Sequence, residues 1–120
     1  MTGLLAIDHV QLAIPAGAEP ACRAFFTEVL GMAEVGKPAE LQARGGLWLR
    51  AAGIELHLGV DPDFRPARKA HPAFRTASLD ALAARLAAAG HPVRWDAPLD
   101  GRRRLFTDDP AGNRLELIEA

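Results

Sequence analysis

The sequence predicts an α+β domain of two βαβββ modules with helices on one face of strongly curved mixed sheets. Three observations lead there. A histidine-to-glutamate spacing occurs twice, His9 to Glu55 over 46 residues and His71 to Glu116 over 45. The two glutamates lie in near-identical segments, Ile-Glu-Leu at 54–56 and Leu-Glu-Leu at 115–117. Each half also runs through the same order of periodicities: one alternating stretch, one helical stretch closed by glycine, then three alternating stretches. The expected organisation is one domain over residues 1–120, with module one at 4–60 and module two at 70–119.

Residues 4–14 alternate and contain β-branched Ile7, Val10 and Ile14, which predicts a strand. Pro15-Ala16-Gly17 breaks it. Over 19–30, Ala21, Cys22, Phe25, Phe26 and Val29 recur at helical spacing with Cys22 turned to the core, and Gly31 is the stop. A second strand is expected at 32–37, then a hairpin of 47–50 and 53–60 turned at Ala51-Ala52-Gly53. Residues 61–69 are a proline-rich, basic connector. The pattern restarts with a strand at 70–77 and a helix at 79–89, with Ser78 as N-cap and Gly90 as stop. Strands at 93–95, 103–107 and 114–119 follow. The last two are joined by Asp108–Asn113, read as a turn without further role.

The totals exclude several classes. With 49% apolar and 24% charged residues the chain is an ordinary globular one. A formal charge of −1 argues against nucleic acid or an anionic membrane as partner. A lone cysteine, Cys22, excludes an intramolecular disulfide and a cysteine-built zinc site. No basic region and apolar run open the chain, and no apolar stretch is long enough to span a bilayer. The expected location is cytoplasmic.

Residues two apart share a face of a strand. His9 and Gln11 therefore share one face, as do Glu55, His57 and Gly59, then His71, Ala73 and Arg75, then Arg114, Glu116 and Ile118. Strand alternation alone explains such a face equally well as the solvated side of an antiparallel sheet. The repeat favours a site: closed face to face, the modules bring His9, Glu55, His71 and Glu116 together. Imidazole plus carboxylate suits Fe, Mn, Co, Ni or Zn rather than Ca or Mg.

At these residues the chain resembles the vicinal oxygen chelate superfamily, which unites glyoxalase, bleomycin-resistance and dioxygenase proteins. The resemblance rests on Asp8-His9-Val10, on Phe25-Phe26-Thr-Glu-Val-Leu-Gly-Met32, on Ala70-His71-Pro-Ala-Phe74 and on Asp109-Pro-Ala-Gly-Asn-Arg-Leu-Glu116-Leu-Ile-Glu119. It implies paired modules whose curved mixed sheets form a cup around one divalent transition metal per site: Ni, Co, Zn, Mn or Fe. His9, Glu55, His71 and Glu116 match the four ligand positions of glyoxalase-type members. His9, His71 and Glu116 match the three-ligand set of the thiol transferases and dioxygenases, which leaves Glu55 spare. His57 is a further ligand or a proton carrier.

The activity so implied is a lyase or isomerase working through a metal-stabilised enolate, with Glu116 or Glu55 moving the proton. The alternatives are an extradiol-type dioxygenase, a fosfomycin-type thiol transferase, and a non-catalytic drug-sequestering protein. Gln11, Trp48 and Arg75 are candidates for contact with a small-molecule substrate. Arg65, Arg68 and Lys69 are candidates for an anionic group, though a solvated connector explains them as well. His91 reads as a surface turn residue, and Arg102-Arg103-Arg104 as a solvated edge. The resemblance further implies a homodimer whose sites draw ligands from both subunits.

Overall fold

Two four-stranded sheets repeat one topology. In the computed structural model, which describes residues 3–120, the first sheet holds β1 (Val10–Ile14), β2 (Ala33–Val35), β3 (Leu47–Ala51) and β4 (Ile54–Val60) in the order β1-β4-β3-β2. The second holds β5 (Ala73–Thr76), β6 (Arg94–Leu99), β7 (Arg102–Asp108) and β8 (Arg114–Glu119) in the order β5-β8-β7-β6. β1 runs parallel to β4 and β5 to β8, and the remaining pairs are antiparallel. A parallel pair needs a long crossover, and in each module the helix and the antiparallel strands supply it.

The helical elements are α1 (Glu19–Ala24), a π-helical segment (Phe25–Val29), α2 (Ala39–Gln42) and α3 (Leu79–Ala88). The expected first helix is thus half α and half π. Leu30 N–H reaches Phe25 O at 3.1 Å and Met32 N–H reaches Phe26 O at 2.9 Å. This wider turn lets the consecutive Phe25 and Phe26 both enter the core, edge to face with ring centroids 5.0 Å apart. Gly31, at φ 78°, closes the helix as expected.

Several boundaries differ from the sequence reading. Residues 4–9 are not strand although the alternation continues, and Leu4, Leu5 and Ile7 are exposed. β2 and β5 are shorter than expected, so His71 precedes its strand rather than opening it. Ser78 occupies the N-cap position of α3 without a side-chain cap bond; Thr76 Oγ1 accepts the Ser78 N–H at 2.9 Å instead. The β6 edge is longer than expected and exposed throughout, carries Pro98, and shifts register between Asp96 and Leu99. Short α2 lacks any apolar period and was not anticipated. Among the described residues, no helix is long and apolar enough to cross a membrane.

One core serves both modules. Leu49, Leu56 and Leu58 of the first sheet and Leu105, Leu115 and Leu117 of the second join Ile14, Cys22, Phe25, Phe26, Leu79 and Leu86 beneath the helices. Cys22 is buried there as expected, and desolvation pushes its thiol up to about 12. His91 packs edge-on against Phe25, 4.7 Å between centroids.

The Asp108–Asn113 segment is more than a turn. Asn113 is buried; its Nδ2 donates to Ala13 O of β1 (2.8 Å) and to Asp109 Oδ2 (3.0 Å), and its Oδ1 accepts Ala67 N–H (3.0 Å). One side chain therefore ties the first sheet, the connector and the second sheet. Asp109 accepts the N–H groups of Ala111 and Asn113 at 2.9 Å each. Burial raises its carboxyl above the ordinary range, and these hydrogen bonds pull the other way. Asn113→Ala should cost about 2–4 kcal/mol, the range for leaving several buried partners unsatisfied. Urea unfolding at neutral pH measures it; a loss below about 1 kcal/mol would mean that the modules are not joined through this amide.

Candidate active site

Strand register decides which polar side chains meet. Leu56 and Leu58 of β4 point into the core, so Glu55, His57 and Gly59 point into the cup. The parallel pairing sets Val10 beside Leu56 and Gln11 beside His57, which brings His9 and Gln11 to the same face. Across the hairpin, Trp48 lies opposite His57 and Arg50 opposite Glu55. His9, Gln11, Trp48, Glu55 and His57 therefore line one groove of about 670 Å³.

Three rings stack in this groove. His57 lies on Trp48 with centroids 4.1 Å apart and planes 2° apart, and His9 covers its other side at 4.2 Å. Both faces of His57 are thus covered. Its Nε2 is 3.6 Å from Glu55 Oε2. Desolvation lowers its pKa, and the neighbouring His9 acts in the same direction, against the pull of Glu55. His57, read from sequence as a further ligand or a proton carrier, is thus buried between Trp48 and His9 with Nε2 turned toward Glu55. Glu55 is held by Arg50, whose Nε donates to Oε1 at 2.7 Å. His9 Nδ1 contacts Asp8 Oδ1 at 2.8 Å, leaving Nε2 for another partner.

The second sheet builds the other pair. Glu116 N–H bonds Pro72 O at 3.0 Å, which sets His71, two residues before β5, beside the carboxylate. His71 Nε2 lies 3.0 Å from Glu116 Oε1, and its Nδ1 lies 2.8 Å from Lys69 O. A carbonyl can only accept, so Nδ1 carries a proton. In the neutral ring Nε2 is then a lone-pair donor aimed at a carboxylate oxygen. With a proton on Nε2 the 3.0 Å contact is a hydrogen bond to the carboxylate; without it, the imidazole nitrogen and the carboxylate oxygen are two adjacent donors for a cation beside them. A carbonyl that fixes the tautomer of an outward-facing imidazole is the arrangement that orients histidine ligands of metals. The donor set therefore fits a divalent transition ion.

One chain does not bring all four ligand candidates together. His9 and Glu55 belong to the first sheet's groove, and His71 and Glu116 to the second sheet. Among the described residues, no group of three or more histidine, cysteine, aspartate or glutamate side chains is placed to hold an ion. The connector cations also lie apart from the groove, and Arg68 Nη1 only reaches Gly112 O at 3.5 Å. Arg65 is exposed beside it. Arg75 lines a separate cleft of about 190 Å³ with Phe74 and Met32.

Arg104 corrects the reading of the triple arginine as a solvated edge. Register places it on the face of Phe106, which lies opposite Glu116, and its Nη1 is 3.4 Å from Glu116 Oε2. Asp96 holds its other nitrogen at 3.3 Å. Arg103, one residue earlier, points the other way and pairs with Asp80 at 3.0 Å. The alternation rule applied within the run separates the two. Phe106 meets His71 edge-on at 5.2 Å, and the Arg114 guanidinium caps the Phe106 ring at 3.9 Å.

Comparison with known proteins gives a consistent result. The family described as the glyoxalase-like domain matches residues 11–118. A structure from Bacillus anthracis described as a glyoxalase family protein is similar at 41% identity and TM-score 0.94, covering 99% of this chain and 98% of the other. At the level of fold alone, the genomically encoded fosfomycin resistance protein FosX of Listeria monocytogenes matches at 16% identity and TM-score 0.79, over 98% of this chain and 94% of that one. Lactoylglutathione lyase of Agrobacterium tumefaciens matches at 23% identity and TM-score 0.72, over 99% and 96%. A search of curated proteins found no match.

The ring stack has a pH signature. Folding disfavours the charged form of His57, so the unfolded chain binds more protons between its depressed pKa and the ordinary histidine value of about 6.5. In metal-free protein, stability should fall relative to His57→Phe as pH drops through about 6.5, and level off below the folded pKa. Urea midpoints of both proteins between pH 8 and 5 test this. Parallel curves would show that the ring is not desolvated by the stack.

Proposed function

This chain belongs to the glyoxalase-like domain family of the vicinal oxygen chelate superfamily, and on that premise we propose that it is a divalent-metal-dependent lyase or isomerase of a small oxygen-chelating substrate. The adjacent His71 Nε2 and Glu116 Oε1, with Nδ1 already committed to Lys69 O, carry this reading. The separation of the two ligand pairs supports a homodimer in which each site joins His9 and Glu55 of one protomer to His71 and Glu116 of its partner.

Such an ion, when bound, supplies Lewis-acid polarisation of two neighbouring substrate oxygens. His9, His71 and Glu116 are the residues that would hold it. Glu55 was expected as a fourth ligand or as the base. Arg50 occupies its Oε1, which favours the base: Oε2 takes the proton from the carbon beside the carbonyl and returns it to the neighbouring carbon. Arg50 fixes the direction in which that oxygen points. Trp48 and His57 keep the His9 ring from turning, through the stack.

Metal content by mass spectrometry on tag-free protein is the first test. About one ion per site is expected, lost in the His71→Ala/Glu116→Gln double variant. No uptake of Ni, Zn, Mn or Fe(II) by the wild type would defeat the metalloenzyme reading. Sharing of sites is tested by mixing His9→Ala and Glu116→Gln chains, each of which spoils both sites of its own dimer. After random subunit exchange, about a quarter of wild-type sites should reappear, since half the dimers are mixed and each mixed dimer has one intact site. A site built within one chain gives no recovery.

A further inference from the structure

The two modules match except at one connection. Residues 36–46, with α2, join β2 to β3, whereas Asp100 and Gly101 alone join β6 to β7. The extra segment lies along the groove and contributes Lys37, Leu41, Arg44 and Gly45 to its lining. It is pinned there. Gly46, at φ 84°, sits so close to β4 that an added Cβ would lie 2.0 Å from Leu58 O. The Gly46 N–H donates to Glu19 Oε2 at 3.1 Å, and this bond is the main cause holding the Glu19 carboxyl below its ordinary range. Lys37 Nζ donates to Gly45 O, and Gln42 Nε2 donates to Lys37 O at 3.3 Å.

The charges in the groove are unevenly matched. Its two carboxylates have partners: Asp8 contacts His9, and Glu55 pairs with Arg50. Among the described residues, Lys37 and Arg44 have no carboxylate within ion-pairing distance. Lys37 uses one of its three N–H donors on Gly45 O, and Arg44 is exposed. Beside them the Gln11 amide lies over Gly59, where a Cβ would approach Nε2 to 2.5 Å. Glycine at 59 makes room for that amide in the groove.

Register gives the distance. Glu55 and Gly59 are four residues apart on one face of β4, roughly 13 Å at ordinary strand rise. The ligand end, His9 and Glu55, and the cation end, Gly59, Gly45 and Arg44, are therefore opposite ends of one groove, with the Trp48–His57 stack between.

We propose that Arg44, Lys37 and Gln11 form an oxyanion subsite, so that the substrate carries a carboxylate or phosphoryl group roughly 13 Å from its reacting oxygens. The position of the reacting end rests on the proposed function; the subsite does not. Two unpaired cations and an amide donor, on a segment anchored at both ends, hold a planar or tetrahedral oxyanion by charge-assisted hydrogen bonds. The reaction would then be confined to substrates with an anionic tail.

Trp48 reports on the groove once the second tryptophan is removed, so the test uses full-length Trp95→Phe protein. Acetate and methylphosphonate are titrated separately at constant ionic strength, with acetamide as the neutral control. Saturable fluorescence change by one of the two anions and none by acetamide is expected, and the better anion identifies the group. Arg44→Gln should weaken it at least about tenfold. Gly59→Ala, which displaces the Gln11 amide without changing charge, should also weaken it, and Arg65→Gln on the connector should not. Circular dichroism confirms that each variant is folded. No saturable binding by either anion, or binding unchanged in a folded Arg44→Gln variant, overturns the subsite. Repeating the titration in His71→Ala/Glu116→Gln protein separates the two readings: anion binding that survives there shows that the subsite stands whether or not metal is bound.

Discussion

The parallel pairing of β1 with β4, and of β5 with β8, is the constraint on which everything else depends. These pairs join residues roughly 45 positions apart, and their registers, Val10 with Leu56 and Ala73 with Glu116, are what place each histidine beside its glutamate. Side chains alternate across a strand, so a slip of one residue would send Leu56 and Leu58 into the cup and Glu55 and His57 into the core. Burying leucine and burying charge differ by several kcal/mol per site, which enforces the register without help from any ligand. The polar face is therefore a by-product of core formation in each module, and chemistry has been fitted onto a geometry that packing already guarantees.

Much of this was legible in the chain. The His–Glu repeat, the Leu56/Leu58 alternation and the Ala51-Ala52-Gly53 turn are local signals, and local signals survive folding. What was not legible depends on partners distant in sequence. The length of β6 is set by pairing with β7, whereas the alternation of residues 4–9 continues past the point where β1 begins. The π-helical turn arises because two adjacent phenylalanines must share one core, which no helical period expresses. Asp109 and Asn113 read as turn formers, and they are; their second role appears only because Ala13 O, 100 residues away, ends beside the amide. The arginine run misled for a different reason. Three like charges suggest one environment, but alternation gives Arg103 to Asp80 and Arg104 to Glu116.

Internal duplication also explains where the two halves diverge. Both modules retain a histidine and a glutamate across a parallel pair, yet their surroundings differ. In the first module the histidine is buttressed by aromatic stacking, and Arg50 restrains the carboxylate. In the second, a backbone carbonyl fixes the histidine, and the glutamate is buried between Phe106 and Arg104. Backbone geometry is shared by the copies, while each copy solves the orientation of its imidazole separately. The stack depends on ring area, and the carbonyl contact on tautomer, so substitutions in the two halves will act through different physics.

The outer edge of β6 has a bearing on how copies of this chain can meet. An unpaired edge is an open template for another strand, and long flat ones polymerise. Here Pro98 removes a donor from the strand, the register shift between Asp96 and Leu99 bends it, and Arg94 and Arg103 line the hairpin with charge. Growth of the sheet by strand addition is blocked at that margin. At that margin a partner can meet side chains but cannot extend the backbone ladder.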